Sequence, residues 1–174
     1  MARLSDRDEY LEVIAREGYL PRDADRFAAT WDSLEEAFLE RLFEATVPFG
    51  NWRQRFRAAA METARLVEAH RREARFLSVD ALAAGELGRM RRARLGQRLA
   101  RLLDSARDEL DDSVVVPEAT AGWVLGIFFD RIYRRCAAGT DPDLPSQVPE
   151  LLFLAVSAYF GTRAGLEELA RPLR

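Results

Sequence analysis

Lysine is absent from this chain, and all 26 of its basic residues are arginine. We read this as base composition rather than as 26 binding contacts. There is one cysteine, Cys136, and one histidine, His70. A single cysteine excludes an intrachain disulfide. One His, one Cys and scattered carboxylates do not make a transition-metal site. A nucleophilic triad or dyad would have to route everything through His70, which has no credible partner in the sequence. No glycine-rich phosphate loop is present, since Gly85 and Gly88 sit at a helix junction. The expectation is therefore no metal, no cofactor and no enzyme. Long hydrophobic runs are missing too. "WVLGIFF" and "LLFLAVSAYF" are too short to span a bilayer. The start, "MARLSDRDEY", is charged and has no apolar signal core. We expect a cytoplasmic protein with no membrane partner. Isoleucine and valine are scarce, and "SVVVPE" is the one β-like run.

What the chain does hold is helix former. Ala, Leu, Glu and Arg recur throughout, which points to an all-α protein. With 174 residues, 48% hydrophobic and 32% charged, it suits one domain with a real core and a small appendage. The net charge of −3 gives no electrostatic pull toward nucleic acid.

Gly, Pro and polar caps divide the chain into about eight to nine helices. Ser5 caps a first helix over about 5–17, and Gly18 stops it. Pro21 can begin a second over 22–29. Thr30, Trp31, Asp32 and Ser33 then interrupt it. Ser33 and Glu36 have capping-box spacing and start the next helix, which runs to about Thr46. Asn51 caps a helix from Trp52 to about His70. "EARFLSVDALAAG" is a shorter helix ended by Gly85, followed by a long one from about 86 to 110. Pro117 and Gly139 bracket a helix over about 118–138. "TDPDLPSQVP" reads as a loop before the helix "ELLFLAVSAYF", which Gly161 stops, and "TRAGLEELARPL" closes the chain.

The last two long helices are the most apolar. A helix that is apolar nearly all round must be buried on every side, and a second copy of the chain can supply the missing cover. Gly122 and Gly126 are four apart and would let another helix approach closely. The expected homodimer face comprises Gly122, Gly126, Phe129, Leu151, Leu152, Ala155 and Tyr159.

The order of segments carries a resemblance. "WDSLEEAFLERLFEAT", a Trp-led helix "NWRQRFRAAAMETARLVEAH", "VDALAAG" before an Arg-rich helix, "GWVLGIFFDRIYRRCAAG" and "LPSQVPELLFLAVSAYFG" follow one another over roughly residues 31–174. This resembles the C-terminal regulatory domain of TetR-family transcriptional regulators. The resemblance implies a helical ligand-binding and dimerisation domain whose last two long helices form a four-helix dimer interface. It also implies a helix-turn-helix upstream, and there the chain departs. "YLEVIAREGYL" resembles the end of that head's first helix and "PRDADRFAA" could stand for its second, but no tight turn or recognition helix follows. The shortfall is roughly ten residues against a helix that needs about two turns in the major groove. Residues 1–30 therefore read as a short remnant of a reading head and 31–174 as the regulatory domain. DNA binding by this chain alone is doubtful on that reading. The alternatives are an interaction subunit with this fold and no ligand, or a repressor with a shortened reading head.

A ligand cavity in such a domain is mainly apolar and aromatic, with few polar groups. The candidate lining is Phe56, Met61, His70, Phe76, Met90, Trp123 and Tyr133, and the expected effector is a small apolar or aromatic molecule. Each of these residues also fits plain core. Arg91, Arg94, Arg98 and Arg101 share one helical face. They read either as an anion surface or as the solvated side of an amphipathic helix whose other side carries Leu95, Leu99 and Leu102.

Overall fold

The computed structural model describes residues 5–19, 23–138 and 143–172. Every regular element among them is helical, and "SVVVPE" forms no strand. The first helix, α1, spans Asp6–Glu17. Ser5 caps it by accepting a bond from the Asp8 N–H, and Gly18 ends it at φ +77°, where a side chain would be strained. Pro21 and Arg22 of the expected second helix lie outside the described residues.

The next element departs from expectation. A single helix, α2, runs over Ala24–Thr46, straight through Thr30, Trp31, Asp32 and Ser33. Ser33 and Glu36 are exposed mid-helix residues, not a cap. The physical reason is a comparison of magnitudes. Thr, Asp and Ser together cost about 1–2 kcal/mol in helix propensity. Against this, Phe27, Thr30, Trp31 and Leu34 form one face that is buried in the core. Burying Phe27 and Trp31, both 0% exposed, contributes roughly 2–3 kcal/mol each. The Trp31 Nε1–H also donates to Glu35 Oε2 at 2.8 Å across one helical turn. No Gly or Pro opposes the helix.

α3 spans Trp52–Ala69, capped by Asn51, whose side chain accepts from the Gln54 N–H. α4 (Arg71–Arg75) passes through a π-helical turn, Phe76–Asp80, into α5 (Ala81–Ala83). α6 covers Gly85–Asp104 and tightens into a 3₁₀ turn over Ser105–Glu109. Glycine is required at position 88, where a Cβ would run into the Ala81 carbonyl. α7 spans Thr120–Ala137, and α8 spans Leu144–Phe160. The α8 start corrects the expected loop. Asp143 caps it by accepting from the Ser146 N–H, and Pro145 falls in the first turn, where its missing N–H costs nothing. α9 (Thr162–Leu169) folds back on α8, and a Cβ at Gly165 would strike Ser157 and Phe153.

Three clusters make the core. Tyr10, Leu11 and Ile14 of α1 pack with Phe27, Trp31 and Leu34 of α2, Phe76 of the π turn and Leu95 of α6. A boundary at 30/31 therefore falls inside α2, and Tyr10, Leu11, Ile14 and Phe27 before it share one core with Trp31, Phe76 and Leu95 after it. Trp52, Leu103, Val124, Ala155, Val156 and Tyr159 form a second cluster, and Ala60, Ala64, Val67, Leu144, Val148 and Leu152 a third. Glu168, fully buried, clamps α9 onto α3. It accepts bonds from Arg53 at 2.8 and 3.1 Å and from Arg57 at 3.0 Å, with Arg171 3.1 Å away.

Candidate functional site

Between these clusters lies a cavity of about 1010 Å³, walled by α2, α3, the α4–π turn, α6 and α7. Its origin is the pairing of the helices. α2 is held to α6 at its N-terminal half, through Arg91–Asp32 and the 2.6 Å Arg98–Glu35 pair. Further along, Phe38, Leu42 and Phe43 of α2 and Leu99 and Leu102 of α6 all line the cavity instead. Phe43 and Leu102 remain 69% and 60% exposed while lining it, so they mark where it opens. The floor is aromatic. Phe56 stacks on Trp52 at 4.8 Å and meets Phe128 edge-on at 5.8 Å.

Two of the seven lining residues expected from sequence, Phe56 and His70, are on this wall. His70 ends α3, its side chain 58% exposed and its Nδ1 3.9 Å from Glu73. The other five lie elsewhere. Phe76 is sealed in the first core cluster, where Tyr10, Phe27 and Trp31 surround it. Met61 packs against the third cluster. Met90 and Trp123 project outward, 62% and 65% exposed, and Tyr133 is also exposed. These misplacements share one cause. All five are large and mainly apolar, but helix azimuth, set by which neighbours pack, decides which side they face.

Residues that sequence reasoning missed include Phe128 and Arg92. Arg92 had a readable signal: it precedes Leu95, Leu99 and Leu103 by three, seven and eleven residues, which puts it on the apolar face of α6. Its Nη1 donates to the Ser78 carbonyl of the π turn at 3.1 Å, and its guanidinium lies 5.0 Å over the Phe129 ring. The remaining run is partly neutralised by α2, since Arg91 and Arg98 meet Asp32 and Glu35.

The expected dimer face divides in the same way. Leu151, Leu152, Ala155 and Tyr159 are buried within the chain, against α3, α6, α7 and α9, so they are not available to a second copy. Tyr159 donates to Asp104 Oδ1 at 2.9 Å, and burial raises its pKa. Phe129 lies on the cavity wall. Gly122 and Gly126 do face open space, beside exposed Trp123 and Ile127. On α8 the exposed residues are Ser146, Glu150, Leu154 and Ala158, four apart along one face.

Among the described residues no cluster of His, Cys, Asp and Glu can hold a metal ion, and no helix is long and apolar enough to cross a membrane. Burial raises the Cys136 thiol's pKa, away from the reactive thiolate. Comparison with family models, curated proteins and solved structures returns no match.

Proposed function

We propose that this chain is a ligand-responsive regulatory module of TetR-like design. It takes an apolar or aromatic effector into the central cavity and pairs with a second copy through α7 and α8. It does not read DNA by itself. The observation that carries the reading is the cavity. At about 1010 Å³ it is large enough for a drug-sized ligand, and its wall is mostly aliphatic and aromatic. The unbroken run of α2 over Ala24–Thr46, straight through the expected entry to the regulatory domain, supports the reading that no separate recognition helix stands there. The interaction-subunit alternative draws on Trp123, a large aromatic left 65% exposed.

Uptake of the uncharged fluorophore 1-N-phenylnaphthylamine separates the two. The wild-type chain is expected to bind it, with brighter, blue-shifted emission. Ala59→Trp, which fills the cavity from α3, is expected to abolish uptake while keeping the helical circular dichroism spectrum. A wild-type chain that ignores the dye would sink the proposal in favour of the interaction subunit.

A further inference from the structure

The cavity wall is unbalanced in charge. It includes Arg7, Arg41, Arg55, Arg92, Arg98 and Arg101 but one carboxylate, Glu73. Most of these arginines are accounted for. Arg41 pairs with Glu62 at 3.0 Å, Arg55 with Glu109 at 3.2 Å and Arg98 with Glu35 at 2.6 Å. Arg7 lies 3.8 Å from Asp8. Arg101 has no carboxylate partner among the described residues but stands exposed to water, which screens it. Arg92 differs from all of these. It is half-buried on the apolar face of α6, and no carboxylate of the described residues lies within ion-pair distance. A backbone carbonyl and an aromatic face are its contacts. Neither carries a formal charge. Burial lowers its proton affinity, with only the Tyr133 hydroxyl acting the other way. A partly desolvated cation without a counter-charge is costly, and the cost is recovered when an anion arrives.

We infer that the ligand of this cavity carries an apolar body and one anionic oxygen group, in the simplest case a carboxylate, and that Arg92 is its counter-ion. The bond from Nη1 to Ser78 fixes the guanidinium plane against the π turn. Among the described residues Nε and Nη2 have no hydrogen-bond partner, and they present the fork that matches the two oxygens of a carboxylate. The Phe129 ring beneath the guanidinium excludes water from one side, and Leu95 and Leu99 beside it face the ligand's apolar body.

This inference rests on the cavity reading, and the experiment keeps the two apart. Bound 1-N-phenylnaphthylamine is displaced with dodecanoate or with dodecanol, below their aggregation concentrations. The two share a chain and differ in charge. Wild type is expected to prefer dodecanoate by about tenfold or more, the size of a charge-assisted hydrogen bond. Arg92→Met should erase that preference, read as the ratio of dodecanoate to dodecanol displacement within the variant itself. Arg92→Lys should keep part of it, and Arg94→Met, an exposed position on the same helix, should keep all of it. Equal displacement by both compounds in wild type overturns the inference and needs no variant to fold. A preference that survives in Arg92→Met also overturns it. Failure of the dye to bind wild type removes the cavity reading itself, and this inference with it.

Discussion

Glu68 of α3 joins α4, α7 and α8 to its own helix through one carboxylate. It accepts bonds from Arg135 at 2.7 and 3.0 Å, from the Leu144 N–H at 3.2 Å and from Arg71. Arg135 belongs to α7 and Leu144 opens α8, so α3 is tied to both. The Arg135 hydrogen bonds hold the Glu68 carboxyl down at about 2, against the opposing effect of burial. A carboxyl lowered on folding adds stability that is present above its unfolded value of 4.5 and lost as pH falls toward 2. Glu68→Gln is expected to lose about 1–2 kcal/mol at pH 7, a figure reduced because the pair still reaches water. Its stability should then change less than that of wild type between about pH 5 and 2. Urea titrations at a series of pH values check both. Neither Glu68 nor Glu168 stands out in the sequence among 29 acidic residues. Arg53 and Arg57 are four apart and show that a helix face is basic, but the carboxylate that answers them is more than a hundred residues away.

Helix boundaries were legible where the stop was steric and illegible where it was only a preference. Ser5, Asn51, Gly18 and Gly161 mark real ends, because a cap bond or a positive φ is a local requirement. Ser33 is different. It has capping-box spacing, yet α2 runs through it, since the burial of Phe27 and Trp31 outweighs a weak local propensity. This gives a test with opposite signs. Ser33→Ala in a mid-helix site should be neutral or stabilising by about 0.5 kcal/mol. Asn51→Ala removes a true cap and should cost about 1 kcal/mol. Urea midpoints of the two variants measure it, and a loss of about 1 kcal/mol for Ser33→Ala would mean that a helix does begin there. The start of α8 reverses the error. Two prolines made 144–149 look like a loop, but Asp143 supplies the cap and Pro145 sits where no N–H is needed.

At the scale of the whole molecule, one apolar sequence serves three purposes. α7 gives Val124 to the core, Phe128, Phe129 and Ile132 to the cavity, and Trp123 and Ile127 to the outside. α8 gives Leu152 and Val156 to the interior and Leu154 to the outside. The proposed pairing of two copies can therefore be tested without disturbing the fold. Trp123→Glu should split a wild-type homodimer into monomers in sedimentation velocity, with chain stability changed by about 0.5 kcal/mol or less. Leu152→Glu, at a site with no exposure, should instead unfold the chain. A wild-type chain that is monomeric at all concentrations would remove the pairing from the proposal.

Composition and periodicity by themselves determined that the chain is all-helical, where most helices start and stop, and that α7 and α8 carry more apolar surface than one face can hold. These are local properties: propensity, cap chemistry and a 3.6-residue period act within a few turns of the chain. Which apolar residues became core, cavity or surface was decided only by tertiary packing. Arg91–Asp32 and Arg98–Glu35 tie α2 to α6, and beyond those pairs residues of both helices line the cavity. Tertiary packing puts Phe76 in the core, Trp123 at the surface and Arg92 on the apolar wall. The azimuth of a helix depends on partners distant in sequence, so hydrophobicity alone marks a residue for burial without saying against what.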